Sequence, residues 1–182
     1  MAERYEIRFS GAGGQGLITA GIILAEAASI VEGKNAVQSQ SYGPEARGGA
    51  SKSEVIISDA PIDYPKATQV NACLALTQEA ADKYSVGIKP DGLLLLDSDL
   101  VKNIPQGDFK VYQFPIIRTA KEDIGREIVA NVVALGAMVA LTDIVSYEAC
   151  EQAVLSRVPP AFKELNQKAY ETGFKKMKEL MK

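Results

Sequence analysis

The sequence of 182 residues contains no histidine, and its only cysteines are Cys73 and Cys150. Without an imidazole the chain cannot form a Ser-His or Cys-His catalytic pair, and most catalytic zinc sites are excluded as well. The two cysteines are far apart and lack CxxC spacing, so alone they cannot hold an iron-sulfur cluster or a structural zinc ion. We expect both to be buried thiols.

An excess of positive charge, a signal peptide and a long apolar run are also missing. Lysine and arginine number 20 against 23 acidic residues, which gives a net charge of -3, whereas binding to a phosphate backbone requires excess positive charge. The N-terminus lacks the charged-then-apolar pattern of a signal peptide, and no apolar run approaches the ~18 residues of a membrane span. We therefore expect a cytoplasmic protein with no nucleic-acid partner and no membrane span.

The remaining composition, 47% apolar and 24% charged, is typical of a globular protein, and the length is suited to one domain over residues 1–182. Short apolar segments bounded by turn residues predict strands at 5–10, 36–40, 52–58, 71–76, 93–97 and 109–114. Helical patterns cover 17–28, a segment that begins after Thr77 with that residue as its cap, and then 131–141, 147–158 and 161–181. This order predicts an α/β fold, a Rossmann-like doubly wound and mainly parallel sheet with C-terminal helices.

The last predicted helix has an apolar stripe at helical spacing, with its lysines largely off that stripe. The stripe consists of Phe162, Leu165, Ala169, Phe174 and Met177. We interpret it as core or as a contact with a partner, and not as a cofactor site.

The first motif with possible chemistry is a glycine turn between the first strand and the first helix. Glycines allow a tight turn, and the helix N-terminus offers free N–H groups and partial positive charge to a phosphate. The candidate cofactor-binding residues are Gly11, Gly13, Gly14, Gln15 and Gly16. Alternatively, the glycines serve only to let helix and strand pack closely.

The ligand of such a turn is not fixed by the glycines. A dinucleotide site would place an acidic residue at the end of the second strand to hold the ribose hydroxyls. This chain has Gln38, Ser39 and Gln40 there, and Glu32 lies earlier, at the helix end before Gly33. The pattern therefore disfavours NAD.

The second motif follows the second strand, at the carboxyl edge where open α/β sheets bind ligands. A tyrosine ring, an arginine able to clamp an anion and two glycines that permit close approach are concentrated there. The candidate loop residues are Ser41, Tyr42, Gly43, Pro44, Glu45, Arg47, Gly48 and Gly49. The alternative is an ordered surface loop with a weak contact between Glu45 and Arg47.

Together, the two motifs make the chain resemble the gamma subunit of 2-oxoacid:ferredoxin (acceptor) oxidoreductases. The resemblance covers essentially the whole chain, including residues 63–65, 131–136 and 166–173. The Ser-Tyr-Gly-Pro-Glu-x-Arg-Gly-Gly form of the loop at 41–49 is most similar to the 2-oxoglutarate type, less to the pyruvate type and least to indolepyruvate enzymes.

The resemblance implies an accessory subunit of a thiamine diphosphate enzyme that decarboxylates a 2-oxoacid, forms an acyl-CoA and reduces ferredoxin or another acceptor. The chain lacks a GDG thiamine motif and a cysteine set for a cluster, so thiamine diphosphate, magnesium and iron-sulfur clusters are expected on partner subunits. The implied partners are alpha and beta subunits, and the resemblance also allows a delta or ferredoxin-like subunit. Coenzyme A is possible at the interface, with residues 11–16 in phosphate or subunit contact and residues 42–49 facing the cleft.

Two other functions remain open from the sequence. The chain could be a stand-alone Rossmann-like domain that binds a nucleotide or another phosphate ligand. It could also be a purely structural scaffold in which both glycine motifs form interfaces.

Overall fold

A computed structural model describes residues 4–41 and 49–182 of the chain. Within this part the strands form one sheet in the order β2-β3-β1-β4-β5-β6. The strands are β1 (Arg4–Ala12), β2 (Asn35–Ser41), β3 (Ala50–Ser58), β4 (Val70–Ala75), β5 (Ile88–Asp97) and β6 (Phe109–Phe114). β1, β4, β5 and β6 are parallel to one another, whereas β3 is antiparallel to both of its neighbours. The predicted α/β class with a mainly parallel sheet is confirmed.

Helices lie between some of these strands and follow the last one. They are α1 (Leu17–Glu26), α2 (Gln78–Tyr84), α3 (Ile116–Thr119), α4 (Ala130–Thr142), α5 (Tyr147–Arg157) and α6 (Lys163–Leu180). Single wider turns extend α1 over Ala27–Val31 and α3 over Ala120–Ile124. The Thr77 hydroxyl caps α2 by accepting a hydrogen bond from the Ala80 amide, as the sequence predicts.

The helices cover both faces of the sheet, because alternate residues of a strand point to opposite faces. Ile7 and Phe9 of β1 join a large hydrophobic cluster with residues of α1, α4, α5 and α6. Arg8, between them, instead donates a hydrogen bond to the carbonyl of Tyr84 on α2. α2 packs there in a smaller cluster with Cys73 and Leu94. The sheet is therefore the middle of three layers.

β3 departs from a regular βαβ order. A doubly wound parallel sheet, as predicted from the sequence, needs a crossover between consecutive strands, but only residues 42–49 connect β2 to β3. A parallel crossover needs about a dozen residues or more. The chain therefore turns back, and β3 enters between β2 and β1 in the antiparallel direction.

α4 and α6 pack very closely on one side of the sheet. A Cβ atom added to Gly136 would overlap the Tyr170 carbonyl oxygen, and one added to Gly173 would overlap the Val133 carbonyl oxygen. Of the stripe predicted on the last helix, Ala169 and Met177 are fully buried, Leu165 and Phe174 pack at the edge of the core, and Phe162 is 54% exposed. The stripe is thus mainly core, with one end at the surface.

Candidate functional site

The glycine turn joins the carboxyl end of β1 to the start of α1. Gly14 and Gly16 have positive φ angles, 90° and 74°, which residues with a Cβ atom rarely adopt. The Gln15 side chain closes the turn, since its Oε1 accepts a hydrogen bond of 2.8 Å from the Ala12 amide. The Gln15 amide in turn donates to the Ala12 carbonyl at 3.3 Å. The turn is therefore held in one shape by its own residues.

Gly11 serves packing inside this turn. It lies in β1 opposite Ser51 of β3, and a Cβ atom there would overlap the Gln15 side chain and come within 2.6 Å of Leu17 Cδ1. The close approach of helix and strand that the sequence left as an alternative is thus present at Gly11. Gly14 differs, because a Cβ atom at that position would have no neighbour within 4 Å among the described residues.

The ends of the second motif lie beside the first. Ser41 is the last residue of β2, and Gly49 comes just before β3. The Gly49 carbonyl accepts a hydrogen bond of 3.1 Å from the Gly13 amide. The two sequence motifs therefore meet at one edge of the sheet. The other loop residues that the sequence predicted lie outside the described residues; they are Tyr42, Gly43, Pro44, Glu45, Arg47 and Gly48.

Two cavities flank the glycine turn. One, of about 370 Å³, is lined by Gly14, Gln15, Gly16, Leu76, Ile117, Glu127, Ile128, Ala130 and Asn131. The other, of about 230 Å³, lies toward β3 and is lined by Ala12, Gly13, Gly14, Gly16, Leu17, Ile18 and Ser51. The larger one opens between the carboxyl ends of β1 and β4, where the connections diverge to opposite sides of the sheet, and ligands of open α/β sheets bind at such a point.

The residues that complete the larger cavity come from distant parts of the chain and were not among the predicted site residues. Asn131, at the start of α4, donates a hydrogen bond of 3.2 Å from Nδ2 to the Gly16 carbonyl. It is a buried polar residue in a helix whose other residues up to Leu141 are apolar or glycine, and this contrast is a signal that the sequence does contain. Ile117, Glu127 and Ile128 carry no comparable signal.

The electrostatics of the turn suit an anion. α1 has no acidic residue in its first turn and no side-chain hydrogen bond at its N-cap within the described residues, so the positive end of the helix dipole is uncompensated there. The first amides of a helix lack intrahelical acceptors. The arrangement can therefore bind a phosphate or carboxylate through backbone N–H groups.

Glu32 is the acidic residue whose sequence position comes nearest to that of a ribose-binding acid, but its carboxylate has other partners. The Glu32 carboxylate accepts a hydrogen bond of 2.6 Å from the Ser146 amide and forms an ion pair of 2.9 Å with Lys34. These contacts hold the pKa of Glu32 below its ordinary value despite the opposing effect of burial. Glu32 thus joins the end of α1 to the start of α5, away from the glycine turn.

The thiols have no role in the site. Burial raises the pKa of Cys73 to about 11 and that of Cys150 to about 12, so both are protonated and unreactive at neutral pH. Over residues 4–41 and 49–182, no group of three or more cysteine, aspartate or glutamate side chains is arranged to hold a metal ion.

The family model described as pyruvate ferredoxin/flavodoxin oxidoreductase matches residues 6–176. The chain belongs to this family. Among curated relatives, "2-oxoglutarate synthase subunit KorC" from Methanocaldococcus jannaschii is 52% identical over 179 residues, which is 97% of this chain and 96% of the relative. The resemblance to the 2-oxoglutarate type that the two motifs indicated is confirmed.

Solved structures agree with this assignment. The gamma subunit of the keto/oxoacid ferredoxin oxidoreductase from Geobacter sulfurreducens is 68% identical, with a TM-score of 0.92, over 98% of this chain and 99% of that one. The chain is accordingly a gamma subunit of the 2-oxoacid:ferredoxin oxidoreductases. The 2-oxoglutarate:ferredoxin oxidoreductase from Magnetococcus marinus, solved with 2-oxoglutarate, coenzyme A and succinyl-CoA, shares the fold at 21% identity, with a TM-score of 0.83, over 97% of this chain and 31% of that one.

None of the described helices is both long enough and apolar enough to cross a membrane.

Proposed function

We propose that this gamma subunit acts in a cytoplasmic, multi-subunit 2-oxoglutarate:ferredoxin oxidoreductase. In the overall reaction 2-oxoglutarate loses CO2, its succinyl group forms a thioester with coenzyme A, and two electrons pass to ferredoxin or another acceptor. The observation that carries the choice of substrate is the 52% identity, over nearly the full length of both chains, with a subunit of 2-oxoglutarate synthase.

The redox and decarboxylation chemistry belongs to other subunits in this proposal. Thiamine diphosphate with magnesium stabilises the carbanion formed on decarboxylation, and iron-sulfur clusters carry the electrons. The residues of this chain do not fit these groups, since both thiols are fully buried and the described residues hold no metal-ligating cluster. The alpha and beta subunits, with a delta or ferredoxin-like subunit, are the proposed carriers.

Coenzyme A is the ligand that the glycine turn fits. Its phosphates need N–H donors and space. The amides of Ala12 and Gln15 are bonded within the turn, and the Gly13 amide is bonded to Gly49. This leaves Gly14, Gly16 and the first residues of α1 as the donors to a phosphate. Gly14 lines both cavities. This supports a positioning role, in which the subunit holds the coenzyme A phosphates while the reaction takes place on its partners.

The loop at 41–49 supplies the second part of this proposal. Its ends, Ser41 and Gly49, lie at the same sheet edge as the glycine turn, and Gly49 is hydrogen-bonded to it. The loop sequence contains Arg47, whose guanidinium can bind a phosphate or carboxylate bidentately. We propose that Arg47 contributes to anion binding and that the loop faces the active-site cleft.

The substrate is tested by co-expressing all subunits of the complex and purifying it anaerobically. Coenzyme A-dependent reduction of a viologen dye is then measured with 2-oxoglutarate and with pyruvate. Activity with 2-oxoglutarate at least tenfold above that with pyruvate is expected. Preference for pyruvate would overturn the substrate, and a chain that binds a nucleotide alone and never joins a complex would favour the stand-alone domain.

The coenzyme A contact is tested with two variants of matched backbone conformation. Gly14 and Gly33 both have positive φ and open space at the position of a Cβ atom, but Gly33 lies beyond the far end of α1. Gly14→Asp places a negative charge where a phosphate would bind, so we expect the KM for coenzyme A to rise about tenfold or more with little change in the KM for 2-oxoglutarate. Gly33→Asp should leave both constants unchanged. Equal KM values for coenzyme A in Gly14→Asp and Gly33→Asp would overturn the proposed contact between the glycine turn and coenzyme A.

A further inference from the structure

An apolar groove of about 490 Å³ lies between the helices, next to the cavity at the glycine turn. Its walls include the buried aliphatic side chains of Ile23, Val129, Val132 and Val154 and the partly buried side chain of Leu165. Ile128 and Asn131 line both the groove and the larger cavity at the turn. The groove therefore continues directly from the candidate site along the surface.

Two large apolar side chains of the groove are exposed. Ile128 is 85% exposed and Phe162 is 54% exposed. Both come from short 3-10 turns, at Glu127–Val129 and Pro160–Phe162. Apolar side chains grouped around an apolar groove mark an interaction site more strongly than the same residues scattered singly. The groove thus has the character of a binding surface.

The charge at the groove is positive. Its two cationic residues are Arg126 and Arg157. Arg157 is neutralised, because its Nε and Nη2 each donate a hydrogen bond of 2.6 Å to the Glu26 carboxylate. The exposed Arg126 side chain forms no ion pair or hydrogen bond with the described residues. An occupant that brings a carboxylate to Arg126 would complete the pairing of charges at this end of the groove.

We propose that the groove receives a segment of another subunit of the same complex, with one bulky apolar side chain between Ile128 and Phe162 and a carboxylate at Arg126. This inference rests on the proposed function, since it takes its partner from the complex. An apolar anchor in a desolvated pocket is a usual source of most of the binding energy, and a matched charge at the rim speeds association and fixes the orientation of the partner. The groove adjoins the proposed coenzyme A site, so a chain docked there would bring its own residues next to that ligand.

A second copy of the chain is a poorer occupant. A two-fold dimer through this face would present the same groove from both sides. Among the described residues, the lining of the groove contains no acidic side chain, so the same face of a second copy would offer no carboxylate to Arg126. A segment of a different subunit can supply the complementary carboxylate instead.

The test uses the other subunits of the complex and measures the Kd of the gamma subunit for them in the absence of coenzyme A. Phe162→Asp and Ile128→Asp are expected to weaken assembly by tenfold or more, and Arg126→Glu to weaken it in a salt-dependent manner. The matched control is Ile30→Asp, because Ile30 is 76% exposed but lies outside the groove. Thermal unfolding of each isolated variant shows whether the fold is intact.

Crosslinking then identifies the occupant. Phe162 is replaced by p-benzoylphenylalanine in the assembled complex, and the crosslinked peptide is sequenced. A peptide of another subunit with a bulky apolar residue near an acidic one supports the proposal. Crosslinks only between copies of this chain, or unchanged Kd values for both Phe162→Asp and Ile128→Asp, overturn it. The wild-type complex is assayed with 2-oxoglutarate separately. A wrong proposal for the groove can therefore be distinguished from a wrong proposal for the function of the complex.

Discussion

The side chain of Asn131 donates a hydrogen bond to the carbonyl oxygen of Gly16, with 3.2 Å between Nδ2 and the oxygen. This bond joins the first turn of α4 to the residue that precedes α1, across more than half of the sequence. The same carbonyl also accepts the first hydrogen bond of α1, from the Ala20 amide. The shape of the glycine turn therefore depends on α4, a helix that lies more than a hundred residues further along the chain.

Replacing Gly16 tests this contact. Gly16→Ala would adopt a positive φ and would place its Cβ atom 2.7 Å from Asn131 Nδ2. Gly33→Ala has the same conformational penalty of about 1–2 kcal/mol but meets nothing within 4 Å in the described part of the chain. We expect Gly16→Ala to lower the free energy of unfolding by at least about 1 kcal/mol more than Gly33→Ala, as measured by urea titration. Equal decreases in the free energy of unfolding would show that the Asn131 side chain moves aside without destabilising the protein.

The crossing of α4 and α6 is expected to be intolerant of any added side chain. The Cβ atom of Gly173→Ala would meet the backbone of Val133, which cannot rotate away as a side chain can. We expect a loss of about 3 kcal/mol or more, although alanine favours an unstrained helix interior by up to about 1 kcal/mol over glycine. Urea denaturation compares this variant with wild type. A stability at or above that of wild type would mean that the two helices separate freely.

Arg8 and Glu54 form a buried ion pair on the face of the sheet covered by α2. Arg8 Nη2 lies 2.7 Å from Glu54 Oε1, and Arg8 also donates to the carbonyls of Tyr84 and Val86. Arg8→Met leaves a buried carboxylate with Lys52 as its remaining cation, so we expect a loss of about 3–5 kcal/mol.

Two further variants control for this loss. The double variant Arg8→Met with Glu54→Leu should recover part of the stability, because it removes the unpaired charge. Lys175→Met breaks an exposed pair with Glu171 and should cost under about 1 kcal/mol. Urea titrations measure the free energy of unfolding of the three variants. If Arg8→Met lowers it no more than Lys175→Met does, the buried ion pair is no more important for stability than the exposed one, contrary to this prediction.

The buried thiols predict a loss of stability in alkaline solution. The pKa values of Cys73 and Cys150 are raised to about 11 and about 12 in the folded chain, above the ordinary value near 8.5 in the unfolded chain. The folded state therefore binds more protons between these values, so stability falls as the pH rises from about 9 toward 11–12. Cys73→Ala with Cys150→Ala should show a weaker decline in urea titrations at pH 8 and pH 10.5.

Thiol reactivity provides an independent check on the same pKa shifts. Native protein at pH 8 should not react with a thiol reagent, whereas protein unfolded in urea should react at both cysteines. Rapid modification of the native protein would contradict the assigned burial.

Local sequence features were sufficient to predict much of the fold. The glycine turn, the helix that follows and the Thr77 cap depend on residues adjacent in sequence, and the structure has them where the sequence placed them. The direction of β3, in contrast, could not be predicted from local features. It depends on which strands pair, and a strand has the same alternating pattern of residues whether it pairs parallel or antiparallel.

The buried polar residues of β1 show the same limit. The alternation from Tyr5 to Ser10 predicts a strand, but it does not reveal that Glu6 and Arg8 are buried. Their burial depends on partners far along the chain, at Thr68, Gln69 and Glu54 for example. A carboxylate or guanidinium is stable inside only where such partners satisfy it.

The sequence by itself determined the class of the fold, the family and the position of the two glycine motifs, because glycines, caps and short apolar runs act on their immediate neighbours. Tertiary structure decided that the ends of the two motifs meet through Gly13 and Gly49, that Asn131 completes the turn, and that Ile128 and Phe162 flank one groove. These relationships arise from packing between segments distant in sequence, and no local propensity encodes which distant surface a residue will meet.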